Sequence, residues 1–190
     1  MGKVRMENTG FESSVNPAEK EPWPKVRLGD VCEVRAGGDY KGVLSKTGKY
    51  PIYGTGGIMG RATEYRCPAN SVIVGRKGTL DNPLLIEEPF WNIDTCFGVI
   101  PSCRILPKYL HLFCLNFDFY SLCPAIGRPS TTSTAIKNIE IPLPPLPVQR
   151  SIVSRLDKEL GAVDRLKKKL EKGILECARL RKAILKEAFE

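Results

Sequence analysis

A single histidine, His111, stands among the 190 residues, so general acid–base and metal chemistry have little to draw on. It lies in the apolar stretch KYLHLFCLNF, where a packing role is expected of it. No Ser-His-Asp, HExxH or paired-carboxylate arrangement can be assembled from what remains, which argues for binding over catalysis. The seven cysteines, Cys32, Cys67, Cys96, Cys103, Cys114, Cys123 and Cys177, are odd in number and contain no CxxC pair. That excludes a disulfide framework and a zinc knuckle and predicts reduced, mostly half-buried thiols with no metal. No apolar run approaches the roughly 18 to 20 residues a membrane-spanning helix needs, and the start of the chain lacks the apolar block of a signal peptide. A soluble cytoplasmic protein without membrane contact is expected.

What is present is enough for a real core. Hydrophobic residues make up 42% of the chain and charged residues 26%, with a formal net charge of +8, which suits one domain and an appendage. Residues 1–22 are polar and without period, and end at Pro22-Trp23-Pro24; they read as a flexible arm. Residues 23–146 alternate strand-length apolar pieces with Gly, Pro and Asn: KVRLGDVCEVRAG, YPIYGTGG, NSVIVGRKG, PLLIEEPFW, TCFGVIP and IKNIEIPLPP. Between them residues 108–123 place Tyr109, Leu112, Phe113, Phe117 and Tyr120 at three- and four-residue intervals, which predicts a helix buried on one face. The fold class expected is therefore α+β with a strand majority. Pro142, Pro144, Pro145 and Pro147 should form a stiff connector that can neither join a sheet interior nor continue a helix.

Residues 147–190 form the third zone. From Val148 to Phe189 there is no proline and an excess of strong helix formers, so one long helix is predicted, roughly 63 Å at ~1.5 Å per residue. Leu156, Val163, Leu170, Cys177 and Ile184 recur every seventh residue, and Ile152, Leu160, Leu166, Ile174 and Leu180 widen the stripe. A rod of that length overhangs a domain only about 30 Å across, so the stripe should pair with another molecule. Glu159, Gly173 and Glu187 spoil a strict second seam, which favours antiparallel packing, and so an antiparallel coiled coil, over a parallel zipper.

The glycine-rich GTGGIMG at residues 54–60 lacks both the GxGxxG register and the GK[ST] ending of phosphate loops, and is read as a turn. Asp81-Asn82-Pro83-Leu84 lacks the second proline and aromatic of an amino-methyltransferase motif, so methyl transfer within the chain is discounted. Charge placement is more informative. The last 43 residues hold 12 of the 29 cations and 7 of the 21 acids, leaving only a modest excess on residues 1–147. There, however, cations stand in Gly- or hydroxyl-rich turns: Lys41, Lys46 and Lys49 before YPIYGTGG, Arg61 after it, Arg76-Lys77 in GRKGT and Arg128 in GRPSTTST. Such turns let backbone amides and short hydroxyls reach phosphates, and an arginine can read guanine bidentately. Double-stranded DNA is the partner this suggests; the alternative is a protein-binding adaptor, dimerised through its coiled coil, that never touches DNA.

Read in order, WPKVRLGDVCEVRAGG, YPIYGTGGIMG, NSVIVGRKGTL and STTSTAIKNIEIPLPPLPVQRSIVSRLDKEL resemble the successive landmarks of specificity (S) subunits of type I restriction-modification systems. The resemblance runs from about Trp23 to the C-terminus, and IPLPPLPVQRSIVSRLD is its most specific part. It implies a DNA-reading target recognition domain over 23–146 joined to a spacer and dimerisation helix over 147–190. It also implies a non-catalytic subunit that docks modification (methyltransferase) subunits, with a restriction subunit a further candidate partner. S-adenosylmethionine is then expected on the modification subunit and no cofactor in this chain. Such subunits generally carry two recognition domains and two helices, whereas one of each is found here, so a half-length form that homodimerises to read a gapped palindromic site is expected. Inserting a helical turn near Gly161 should lengthen that gap. Arg76, Lys77, Gly78 and Thr79 are the first candidates for DNA contact, followed by Lys41, Tyr53, Thr55, Arg61, Arg128, Ser130 and Thr131.

Overall fold

The computed structural model describes residues 23–124, 127 and 129–189; the arm over 1–22 lies outside the described residues, as do Ala125, Ile126, Arg128 and Glu190. Four strands, β2 (Cys32–Ala36), β5 (Ser71–Gly75), β6 (Leu84–Ile86) and β8 (Cys96–Pro101), form an antiparallel sheet in the order β2-β8-β5-β6. A second sheet has the order β4-β3-β7, from β3 (Tyr50–Gly54), β4 (Gly57–Ala62) and the short β7 (Trp91–Asn92), which pairs parallel to β3. The outermost pair, β1 (Lys25–Arg27) with β9 (Glu140–Pro142), ties the start of the domain to its end.

Strand β5 explains how two cores arise from one run. Every residue of SVIVG is buried, and because side chains alternate across a strand, Val72 and Val74 join one apolar cluster while Ile73 joins the other. The first cluster packs Leu28, Phe97, Val99 and Leu110 beneath helix α1 (Pro107–Asn116) and the short helix α2 (Ser133–Lys137). The second packs Ile52, Phe90 and Trp91 under the β3–β4 hairpin.

Two expectations are corrected. The helix predicted over 108–123 stops at Asn116, where Phe117 turns to extended backbone; Asp118 then caps a separate 3-10 turn over Phe119–Leu122 by accepting from Tyr120 N at 3.0 Å. The apolar spacing is satisfied by two short pieces because the Phe117 ring packs on Phe113 before the break and meets Phe119 edge-on after it. In IKNIEIPLPP only Glu140–Pro142 is strand, since Thr132 Oγ1 accepts from Ala135 N at 3.1 Å and starts α2 across Ile136 and Lys137. Pro142, Pro144, Pro145 and Pro147 stand at the margins of regular structure, in no sheet interior and past the first turn of no helix. Pro142 sits on the two-stranded edge, where no ladder donor is needed, and Pro147 occupies the first turn of the long helix, where its missing N–H would have had no partner. Strand β4, GIMGRA, carries little strand signal of its own and is held by its pairing with β3.

The long helix is present as α3 (Leu146–Phe189), 44 residues or about 66 Å. Its one fully buried side chain is Gln149. The Gln149 amide oxygen accepts from Leu106 N at 2.9 Å, at the cap of α1, and its Nε2 donates to Arg104 O at 3.0 Å and Pro144 O at 2.8 Å. Ile152 and Val153 pack against the first core, and beyond Leu156 the helix leaves the domain. Gln149→Leu fills the same space with no polar atoms and strands one N–H and two carbonyls. It should lower stability by about 3 kcal/mol or more, read as a shift of the urea midpoint with an unchanged slope.

Candidate nucleic-acid interface

At the end of β5 the chain reverses sharply. A Cβ on Gly75 would come within 2.3 Å of Thr79 O, so only glycine fits the turn, and Gly78 lies at φ +82°. The turn is clamped from both sides. Arg76 N donates to Thr95 O at 2.8 Å and Gly78 N to Pro129 O at 3.1 Å, while Thr131 N donates to Arg76 O at 2.9 Å. Lys77 and Ser130 form an isolated antiparallel bridge. A fourth loop joins them, because Asn82 Nδ2 donates to Thr55 O at 2.7 Å in the β3–β4 turn. Two segments about fifty residues apart in sequence are thus brought to one end of the domain, with Thr55 beside them.

Within this end Lys77 and Thr79 are exposed and Arg76 is half-buried. The Arg76 guanidinium lies 5.6 Å from the Phe97 ring centroid and donates from Nη1 to Asp94 O at 3.2 Å, which uses one of its five N–H donors and orients the rest. Thr131 is only 5% exposed, so it serves the clamp through its backbone, and the neighbouring Thr132 is taken up in capping α2. Arg128 lies outside the described residues. Asn82, Asp94 and Thr95 hold the site together yet drew no attention in the sequence beyond the failed methyltransferase match; the one available signal was the turn preference of Asn-Pro and Asp.

Lys41 and Arg61 fall elsewhere, on the outer edge of the β3–β4 hairpin. Arg61 Nη1 donates to Lys49 O at 3.0 Å, and Lys41 N donates to Asp39 Oδ1 at 3.0 Å. Lys46 and Arg61 line a shallow groove there with Leu44 and Ile58. Tyr53 is half-buried with its ring edge-on to Phe90 at 5.7 Å; burial, reinforced by the Glu88 charge, pushes its hydroxyl pKa up. The two cationic surfaces are therefore distinct regions of the domain.

The remaining titratable groups are structural. Burial pushes the Cys32 thiol up to about 12 and Cys67 to about 11, and raises Cys96 and Cys114. His111 donates from Nε2 to Pro83 O at 3.2 Å, and burial lowers its pKa. Among the described residues no group of three His, Cys, Asp or Glu could hold a metal ion, and no helix is long and apolar enough to cross a membrane. On α3 the apolar stripe is open to solvent: Leu160 is 46% exposed, Val163 61%, Leu170 59% and Ile184 65%, with Leu166, Ile174, Cys177 and Leu180 exposed likewise. Ile152 and Leu156 are half-buried at its base.

The domain is thus a two-core, strand-rich body carried on a long helix, with Arg76 and Lys77 beside Ser130 at one end and Lys41 and Arg61 on a separate surface. Residues 20–176 match the type I restriction modification DNA specificity domain, and the chain belongs to that family. It is 26% identical over 121 residues to the putative type I restriction enzyme specificity subunit S.HindORF215P of Haemophilus influenzae, covering 62% of this chain and 31% of that protein. The fold is similar to a chain of a type I R-M system solved for its complex assembly and conformational transition, with TM-score 0.78, 23% identity, and coverage of 95% of this chain and 48% of that one. The HsdS subunit of Thermoanaerobacter tengcongensis is similar as well, with TM-score 0.64, 20% identity, and coverage of 80% and 41%. The chain thus spans half or less of the length of these relatives.

The thiol environments give a direct check on this geometry. At pH 8 exposed Cys103 and Cys177 should react first with an alkylating reagent, whereas Cys32, Cys67, Cys96 and Cys114 should label only on unfolding, as read by peptide mass spectrometry. Early labelling of Cys67 would contradict the packing of the second core.

Proposed function

We propose that this chain reads DNA sequence for a type I restriction-modification assembly and performs no chemistry itself. What carries this proposal is the joining of the 76–79 and 129–131 segments into one braced, cation-bearing end. A rigid loop loses little entropy on binding, and the exposed side chains of Lys77 and Thr79 suit phosphate contact, the backbone N–H groups of Arg76, Lys77 and Gly78 being used in the clamp. Arg76, oriented by Phe97 and Asp94, is the base reader; Lys77 and Thr79 position the backbone. The hairpin cations Lys41 and Arg61 supply a second, weaker phosphate contact.

Two copies pair through α3, each reading one half of a gapped palindromic site, because the apolar stripe of α3 is exposed to solvent along its length. Modification subunits dock on this dimer and supply the methyl transfer, and the complex works in the cytoplasm, where its DNA lies. The adaptor alternative predicts binding that survives high salt; a DNA reader cannot, since neutralising phosphates releases counterions.

Selection of bound duplexes from a random pool, with and without the modification subunit, should return two inverted half-sites at fixed separation. Arg76→Ala should cost about 1 to 3 kcal/mol and relax preference at one base pair, while Lys77→Ala should weaken all duplexes alike and flatten the salt slope by about one. Affinity unchanged between about 50 and about 200 mM salt would rule out DNA as the ligand.

A further inference from the structure

The β3–β4 hairpin and the segment beside it carry apolar surface that neither core uses: Ile58 is 65% exposed, Met59 56% and Leu44 54%. Taking the DNA reading proposed above as given, we propose that Ile58 reads the C5-methyl group of a thymine in the major groove, with Lys46 and Arg61 on the flanking phosphates.

A bulge brings these side chains out. The ladder pairs Ile52 with Gly60 but Tyr53 with Ile58, so Met59 is an extra residue. In a regular strand one of two neighbours would turn inward; the bulge breaks that alternation and leaves Ile58 and Met59 both exposed. Only one of them is free. A Cβ on Gly54 would come within 3.0 Å of Met59 Sδ and 3.1 Å of Ile93 Cδ1, so the Met59 thioether lies over the hairpin's own backbone. Ile58 instead walls a shallow groove with Leu44, Ser45, Lys46, Gly60 and Arg61. Leu44 is carried there by its bridge to Ala62 and by Ser45 N donating to Arg61 O at 2.9 Å. A Cβ on Gly60 would stand 3.1 Å from Leu44 Cδ1, so the glycine keeps the floor of the groove open.

The chemistry of the groove selects its occupant. Two aliphatic side chains, Leu44 and Ile58, are flanked by Lys46 and Arg61, and none of the residues lining the groove is acidic. Arg61 Nη1 donates to Lys49 O at 3.0 Å, which holds the guanidinium at the rim. An aliphatic side chain cannot read a donor or an acceptor. The one alkyl group that base pairs present is the C5-methyl of thymine, and it stands in the major groove. That groove, about 12 Å wide, admits a two-stranded ribbon such as this hairpin. The tip is slender, since a side chain at Gly56 or Gly57 would meet nothing of the domain. It is also fixed: Asn82 Nδ2, donating to Thr55 O at 2.7 Å, ties the hairpin turn to the loop that follows residues 76–79.

The duplex returned by the selection above, synthesised with deoxyuridine for thymine one position at a time, tests this with the full chain, because uracil lacks only the methyl group. At one thymine of the half-site the unaltered chain should lose roughly fourfold in affinity, the worth of one buried methyl group. Ile58→Ser should bind the thymine duplex roughly fourfold more weakly and no longer distinguish it from the uracil duplex, whereas Lys46→Ala should weaken both alike. Both side chains are exposed, so the thermal midpoint of each variant should match that of the unaltered chain. Uracil tolerated at every position, a half-site without thymine, or an Ile58→Ser chain that still senses the methyl group would overturn the proposal and leave salt-dependent DNA binding intact. Weaker capture of the modification subunit by Ile58→Ser, with DNA affinity unchanged, would overturn it as well and make the groove a protein contact. Failure to bind any duplex removes the DNA reading and this proposal with it.

Discussion

Everything this molecule can do at a distance depends on how α3 is anchored, and that anchor is polar. Gln149 is the only side chain of the helix withdrawn fully from water, and all three of its hydrogen bonds go to backbone: Leu106, Arg104 and Pro144. An apolar residue could fill the space but could not satisfy those groups, and a buried orphan costs more than a made bond gains. The same amide holds the start of α1, so the position of α1 and the direction of the rod are set by one group. Pro145 and Pro147 add to this, since Pro145 O accepts from both Val148 and Gln149 and starts the helix where the domain ends.

The end of the domain that carries residues 76–79 is held in a related way. Residues 76–79 leave a strand whose alternate side chains belong to two different cores, so the origin of the loop cannot shift without disturbing both. From there the loop is held almost wholly by main-chain bonds to Thr95, Pro129 and Thr131. That frees the exposed side chains of Lys77 and Thr79 from structural duty. Arg76 is the exception, tied to Asp94 and Phe97, and its orientation is the more defined for it.

The boundary between domain and rod was legible because a proline cluster gives way to a long proline-free run with seven-residue periodicity, a strong local signal. Most strands were legible as apolar pieces between turn residues. The helix over 108–123 was overextended because periodicity cannot register that Asp118 prefers to cap a new turn. Among the candidate residues, 76–79 and Ser130 proved to be neighbours, but the spread of Lys41 and Arg61 to a different surface, and the burial of Thr131, depended on pairings that no spacing in the chain encodes.

By itself the sequence determined the strand-rich domain, the rod and its apolar stripe, and the poverty of groups for catalysis, because each follows from composition or from a period of neighbouring residues. Only the tertiary structure decided which cationic turns share a surface, that Gln149 locks the rod, and that Leu112 and Phe113 of α1 and Ile152 and Leu156 of α3 line one apolar groove. Those are relations between segments far apart in the chain, set by sheet register and by the side of α3 that meets α1, and no local pattern carries them.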